Sequence, residues 1–523
     1  MVLTYSDYIE KMRGCWMGKT IGGTLGAPFE GYRGVWDVDF YQQDLSKGPI
    51  PNDDLDLQIV WLNAVERFGN KVNAQILAEY WLMFIDPYWC EYGAGKNNLR
   101  RGFQPPLSGY INNMNRDSCG CFIRSEIWAC LAPGLPAVAA KYAFEDAIVD
   151  HSNEGVYAEV FCAAMQSAAF VETDLDKIVD IGLSYIPSDC AIHGVVNAVR
   201  DYFRANRDWK ETRLMVLREY PGNFGEIGGY HRGNEKKEDY PDAKFGWDAP
   251  SNIGLIMLGL YYGENDFEKS ICLAANCGED ADCTAGTLGA LMGIILGASK
   301  LPAKWVDPIG DKIATICINN TEGNDLSVVK TVSEMTNRVA RQVPRFLGPD
   351  LCDCIGTSEP FVILAQEGGD LYNKPRKAGY YRFTMSFEDT LRLQPFSVKY
   401  DYPIFSVAVD YTEPPYILPG AKKKIKLHFL NKFMQQQWFS VNWILPEGFT
   451  VYPSKSMTYS LEQWHTNDAR LTVEYEITVP ETLVSEKMDL LADISFVGRA
   501  TRAIIPVTFV CTQVPECDRA DMK

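Results

Sequence analysis

Three acidic positions stand apart from otherwise amphipathic text. Glu30 ends a segment with glycine at 14, 18, 22 and 26, just after Ala27-Pro28-Phe29. Asn52-Asp53-Asp54-Leu55-Asp56 opens an apolar stretch that runs to Trp61. Glu279-Asp280-Ala281-Asp282-Cys283 opens another small-residue stretch, with glycine at 286, 289 and 293. If the acidic helix starts meet, each carboxylate pair at about 4 Å repels by roughly 4 kcal/mol in an effective dielectric near 20. Hard cations remove that penalty, and all-oxygen donors suit Mg²⁺, Mn²⁺ or Ca²⁺ rather than zinc. Such ions activate water or position a leaving group, and a carboxylate left off the metal can act as general base. Each feature also has a plain structural reading. A glycine stripe allows close approach of another helix, and Asn52 with its aspartates makes an ordinary N-cap and first turn. Two adjacent aspartates exceed what a cap needs, and Glu30 gains nothing from the dipole at a helix end.

The elements that must position these residues are helical over about the first 340 positions. Apolar spacing predicts helices at Ala137–Ile148, Tyr157–Phe170, Gly254–Leu260, Ser270–Asn276 and Val328–Arg341. The polar stretch Gly222–Pro250 reads as an insertion or lid, and the aromatics of Tyr230-His231-Arg232 and Trp247-Asp248 either stack on a sugar or base or anchor a loop. His193 lies in apolar text and is expected in the core. Pro344, Gly348-Pro349, Gly368-Gly369 and Lys374-Pro375 mark a connector. The period then changes to two. Leu471 to Val479 alternates apolar and polar throughout, and Phe405–Val409, Ile425–Leu430, Gln437–Leu445 and Ile504–Val510 are further strands of an antiparallel sandwich. Leu471, Val473, Tyr475, Ile477 and Val479 are expected to face inward. The domains so divided are 1–345, a connector 346–378, and 379–523.

Composition narrows the classes of function. The 523 residues carry 68 Asp+Glu against 50 Lys+Arg, a formal charge of −18, which argues against a nucleic-acid or anionic-membrane surface. From Arg376 onward the two signs balance at 17 each, so the surplus lies in the helical part. The most apolar run, Thr284 to Ala298, is too short to span a bilayer and carries four glycines. The N-terminus lacks a signal-peptide core. Fifteen cysteines, mostly in apolar text, suit buried thiols in a reducing cytoplasm. Cys119-Gly120-Cys121 and Cys352-Asp353-Cys354 lack partners at zinc-ligand spacing and read as structural or loop thiols.

Residues 9–340 resemble the ADP-ribosylglycohydrolase family. Its first-helix pattern G-x-x-x-G-D-x-x-G-x-P-x-E is similar to Gly18–Glu30, and its T-D-D-T segment is similar to Asn52-Asp53-Asp54-Leu55. Its late G-D-T-D-T segment resembles Gly278 to Cys283, followed by Gly289–Gly293. Its N-G-A-x-M-R loop is similar to Cys119 to Arg124, and its T-H segment to Asp150-His151. The resemblance implies an all-α orthogonal helix bundle with two Mg²⁺ ions, Mn²⁺ or Ca²⁺ being alternatives. They would be held by Asn52, Asp53, Asp54, Asp280 and Asp282, with Asp282 bridging. Glu30, Asp54 and Asp282 would be the catalytic residues, and Gly120, Arg124 and His151 would line the substrate side. Three positions depart from the pattern: Gly23 replaces Asp, while Asn52 and Cys283 replace Thr. The β region resembles the immunoglobulin-like accessory domains of carbohydrate-active enzymes, through Asn442 to Phe449 and the terminal strand.

The implied activity is metal-dependent hydrolysis of a glycosidic bond at an anomeric carbon, with an ADP-ribosyl protein or ADP-ribose derivative as first substrate. Two alternatives stay open: another N- or O-glycoside, such as a nucleoside or neutral sugar, and a non-catalytic module that binds ADP-ribose or a glycan. The expected partner is a small or protein-linked glycosyl substrate, with no nucleic acid and no membrane. The oligomeric state is left open.

Overall fold

The computed structural model of the chain describes residues 1–220, 246–320, 325–373, 395–463, 469–482 and 485–521. Tyr230-His231-Arg232, most of the polar stretch 222–250, Lys374-Pro375 and the start of the expected β domain at 379 lie outside the described residues.

Helix α1, Tyr5–Gly26, starts at Thr4, whose hydroxyl accepts the N–H of Asp7, and Asp7 suits the positive end of the dipole. Helix α2, Asp53–Phe68, starts at Asn52 in the same way. Helix α3, Ala281–Leu296, is the second glycine-striped helix, and it runs antiparallel to α1 with backbone against backbone. A Cβ built on Gly18 would lie 2.0 Å from the carbonyl oxygen of Gly289, and one on Gly293 would lie 2.0 Å from that of Gly14. Both stripes are therefore required, and their cost in helix propensity, about 1 kcal/mol per glycine, is offset by the contact.

Four of the five helices expected from apolar spacing lie close to their expected bounds, at Pro136–Ala147, Glu154–Ala169, Ala249–Tyr262 and Phe267–Asn276. The last one begins at Val332 rather than Val328, because the Thr331 side chain accepts the N–H of Glu334 and fixes the N-cap there. His193 is half-buried on the strongly amphipathic helix Ala191–Arg204 and bonds Asn197, so it flanks the core rather than filling it. Two short antiparallel pairings interrupt the helical pattern. Val2–Leu3 and Cys352–Asp353 flank Val362–Leu364, and Tyr32–Arg33 pairs with Gly278–Glu279. No helix among the described residues is long and apolar enough to cross a membrane.

Contacts divide the chain into two units, Met1–Leu99 with Met114–Lys374, and Arg100–Asn113 with Pro375–Lys523. The second is an antiparallel sandwich. Its strands are β1 Ser397–Asp401, β2 Phe405–Asp410, β3 Lys422–Asn431, β4 Gln437–Ile444, β5 Thr450–Tyr452, β6 Ser456–Leu461, β7 Arg470–Thr478, β8 Lys487–Phe496 and β9 Arg502–Val510. One sheet has the order β5-β7-β3-β2-β1 and the other β6-β4-β8-β9. Val473, Tyr475, Ile477 and Val479 are buried and Leu471 packs against the same core, while Glu474 and Glu476 point out to Lys424 and Lys422. The segment 100–113, read from sequence as part of the helical domain, adds Phe103, Leu107, Tyr110 and Ile111 to this core.

Candidate metal centre

The antiparallel pairing of α1 and α3 sets the end of one against the start of the other. A Cβ on Gly26 would lie 2.2 Å from the Ala281 oxygen. Beyond α1 the chain makes one 3₁₀ turn, Ala27–Phe29, and reverses at Gly31 with φ of +72°. The N–H of Gly31 donates to Glu279 O at 2.8 Å, and Tyr32–Arg33 then pairs with Gly278–Glu279. Arg33 forks onto the Glu279 carboxylate at 2.5 and 2.9 Å. Glu279 is thus turned away from its acidic neighbours, at a left-handed φ of +62°. The same pairing leaves Glu30 facing Asp280 and Asp282.

One oxygen each from Glu30, Asp280 and Asp282 lies within 4.8 Å of the others. Oxygens bound to one hard cation at about 2.0–2.6 Å span no more than roughly 5.2 Å, so these three can share an ion. Asp280 and Asp282 are 2% and 4% exposed, and no donor among the described residues reaches Asp280 Oδ1 or Asp282 Oδ1. Orphaned buried oxygens of this kind call for positive charge. Glu30 keeps part of its surface in solvent. The charge of Asp282 above all, then burial, Asp53 and Asp54, push its pKa up to about 9. Burial, with Asp54 and Asp282 beside it, pushes Asp53 up to about 8, and the Tyr92 hydroxyl opposes this by donating to its carboxylate at 2.8 Å. Burial and then Asp54 raise Asp282 to about 6. Burial, Cys119, Asp282 and Glu30 hold Asp280 well above the usual carboxylate range.

Asn52 uses its side-chain oxygen to cap α2, accepting the Asp54 N–H at 2.7 Å, and its amide nitrogen donates to Asp282 Oδ2 at 3.1 Å. It therefore turns N–H, not oxygen, toward the acids. The bare Cα of Gly23 makes room for it, since a Cβ there would stand 2.9 Å from the Asn52 amide nitrogen. Asp56 faces away and accepts the N–H groups of Ile316 and Cys317 at 2.6 and 2.5 Å.

Lys19 is the residue that pattern reading passed over. It sits on α1 with 1% of its surface exposed, and its ammonium lies 2.9 Å from Asp54, 3.1 Å from Glu126 and 3.1 Å from Thr287 Oγ1. Asp54 and Glu126 keep it protonated despite its burial. Its signal was a lone charge inside wholly buried helix text. Asp54 also accepts the Cys283 thiol at 3.6 Å, and Asp54, Asp282 and Cys283 form a second group within 4.8 Å.

The three residues expected on the substrate side make a buried scaffold. Arg124 is fully buried. It binds Asp146 at 2.9 Å, Asp150 at 2.6 Å and the Gly120 carbonyl at 2.9 Å. Gly120 leaves room for Glu91, whose Oε1 stands 2.0 Å from where a Cβ would be. His151 is buried, with Nε2 2.9 Å from Ser118 Oγ and Nδ1 3.0 Å from Asp150. Trp247 anchors the same loop: its carbonyl accepts the Cys119 N–H at 2.8 Å, and its ring lies against Gly31. Cys119 in turn donates its thiol to Asp280 at 2.6 Å, and Cys119, Asp280 and Cys283 form a third group within 4.8 Å.

A family model described as ADP-ribosylglycohydrolase matches residues 4–336. An uncharacterized protein from Archaeoglobus fulgidus is 23% identical over 327 residues, covering 58% of this chain and 92% of its own length. An ADP-ribosylarginine hydrolase Tri1 from Pseudomonas putida is 42% identical over 52 residues, 10% of this chain and 14% of that protein. Its counterpart from Serratia proteamaculans is 40% identical over 48 residues, 9% and 13% respectively. The match therefore spans about one seventh of the Tri1 proteins' length.

Proposed function

The chain belongs to the ADP-ribosylglycohydrolase family, and from that premise we propose that it is a metal-dependent hydrolase of the glycosidic bond at the anomeric carbon of an ADP-ribosyl group. The observation that carries this reading is the convergence of Glu30, Asp280 and Asp282, with buried carboxylate oxygens that lack a donor. Mg²⁺ or Mn²⁺ suits that all-oxygen set. Bound there, the ion supplies an anchor for ribose hydroxyls and lowers the pKa of attached water.

The chain's own residues do the rest. Glu30 stands with solvent on one side and the buried acids on the other; their charge keeps it protonated in the metal-free fold, and a cation that offsets them would free its carboxylate to take the proton of an attacking water. Asp282 belongs to two of the three groups with Glu30 or Asp54, and it holds the acids of α2 and α3 together. Asp54 is oriented by Lys19, and Asp53 by Tyr92. Arg124 and His151 fix the loop that carries Gly120, and so the wall of the site.

An ADP-ribosyl group on arginine is the first substrate to test, because the Tri1 relatives are named for it. A nucleoside or neutral-sugar glycoside is the second reading. It is favoured by Arg124, the cation expected to meet substrate, being taken up by Asp146 and Asp150. The experiment is incubation with Mg²⁺ or Mn²⁺ and ADP-ribosyl-arginine, nucleosides and aryl glycosides, with chromatography of the products. Release of free ADP-ribose, lost in Asp282→Asn, is expected. Turnover of only the other glycosides would move the assignment to the second reading, and turnover of none would end both.

A further inference from the structure

We propose that Cys119, Cys283 and Asp280 form a second site, sharing Asp280 with the all-oxygen one, for a zinc-type divalent ion. The two sulfurs and an Asp280 oxygen lie within 4.8 Å of one another. Ligand atoms held at about 2.0–2.3 Å around a tetrahedral zinc stand roughly 3.3–3.8 Å apart, so side-chain rotations suffice to close the set. All three residues are buried, with Cys119 and Asp280 each 2% exposed and Cys283 7%. Asp280 Oδ1 lacks a donor while Oδ2 accepts the Cys119 thiol, so this carboxylate has an oxygen open to a cation beside the two sulfurs.

The donor chemistry separates this site from the all-oxygen one. A thiolate favours zinc and its softer neighbours over Mg²⁺. Cys121, two residues from Cys119, turns the other way and donates to the Gly155 carbonyl at 2.7 Å. The Cys119-Gly120-Cys121 pair is therefore split, and the partner of Cys119 comes from the first turn of α3. Spacing along the chain could not reveal that pair. Cys283 is one of the three positions at which the chain departs from the motifs of the family it resembles, and it meets Cys119 at one point in space. Three protein ligands leave the fourth position to water or substrate, the arrangement of an open rather than a closed zinc site. Coordination exchanges two S–H protons, released to solvent, for two metal–sulfur bonds; nothing is oxidised.

The inference rests on the reading of this region as a cation-dependent site, so the test keeps the two apart. The full-length reduced protein is titrated with Co²⁺ and followed by absorption. One equivalent is expected to give a thiolate-to-cobalt charge-transfer band that Zn²⁺ abolishes and excess Mg²⁺ does not. Cys119→Ser and Cys283→Ser should each weaken Co²⁺ binding at least about tenfold, while Cys121→Ser leaves the band intact. Binding of Mn²⁺ to Cys283→Ser, measured by calorimetry, reports the hard-cation site alone, and its loss would count against that site rather than this one. Co²⁺ bound without a charge-transfer band, or displaced equally well by Mg²⁺, would overturn the proposal. So would isolation of Cys119 and Cys283 as a disulfide that persists in the reduced preparation. The wild-type spectrum decides the matter even if a serine variant does not fold.

Discussion

Gly22→Ala tests whether the close approach of α1 and α3 builds the site. The added Cβ would stand 2.0 Å from the Ala285 oxygen, 2.4 Å from its carbonyl carbon and 2.7 Å from the Gly286 nitrogen. Ordinary contact begins near 3.4 Å. The obstructing atoms are backbone, so no side chain can rotate out of the way and the helices must part by more than about 1 Å. Overpacking of this kind costs about 1–3 kcal/mol where neighbours adjust, and a rigid backbone puts it at the upper end. Alanine returns about 1 kcal/mol of helix propensity, which leaves a net loss near 2 kcal/mol. Glu30 follows α1 and Asp280 precedes α3, so the same displacement should separate the oxygens that converge and weaken Mn²⁺ binding. Gly23→Ala is the comparison in which a side chain, not backbone, is displaced, so its cost is limited to the Asn52 cap and the Asn52–Asp282 bond. Its Cβ meets only the end of the Asn52 side chain, at 2.9 Å, and the amide can swing away. Urea denaturation and Mn²⁺ calorimetry on both variants read the two effects. If Gly22→Ala is as stable as the wild type, or is destabilised with unchanged Mn²⁺ affinity, the helix contact does not set the site.

Three further outcomes follow from the buried charges. Lys19→Met leaves Asp54 and Glu126 buried without their cation and should cost about 3–5 kcal/mol, read by urea denaturation; a loss under about 1 kcal/mol would refute the role given to Lys19. The acids at about 9, 8 and 6, Glu30, Asp53 and Asp282, hold protons in the fold that the unfolded chain has released. Their contribution to stability is full below about pH 4 and is lost as pH rises through those values. The chelator-treated protein should therefore melt lower at pH 8.5 than at pH 6, and Mg²⁺ should raise its Tm more at pH 8.5. A Tm that rises with pH in the absence of metal would contradict the assignment. Arg124→Met strands Asp146 and Asp150 in the core and should lower the urea midpoint sharply, whereas an Arg124 that served only to bind substrate would leave stability unchanged.

The carboxylates were legible because each occupies a position that helix chemistry makes conspicuous. Asp53 and Asp54 follow an N-cap, Asp280 and Asp282 open a glycine stripe, and Glu30 stands where a helix dipole disfavours it. The sandwich was legible because a period of two admits one burial pattern, and β7 obeys it residue by residue. The addition of Phe103, Leu107, Tyr110 and Ile111 to the sandwich core was not, because nothing local marks a helical-looking segment as belonging to a sheet far along the chain. Arg124 shows the same limit at one residue. Its type suits an anionic substrate, but Asp146 and Asp150, supplied by the following helix and its end, turn it into a buried anchor.

The departures from the family pattern make physical sense only as pairs across elements. Without a side chain, Gly23 leaves the space that the Asn52 amide fills, and that amide then donates to Asp282. One carboxylate oxygen so acquires a donor where a threonine would have offered an acceptor. Lys19 adds a fixed positive charge against Asp54 on the same side of the cluster. Asp280 and Glu30, on the other side, receive neither, and Asp280 instead meets the thiol of Cys119. The cluster is thus divided: protein donors satisfy its α2 side, while its α3 side keeps the orphaned oxygens and the two thiols. Cation binding should follow that division, with Lys19 and Asn52 governing the stability of the metal-free fold and Glu30, Asp280 and Asp282 governing affinity for the ion.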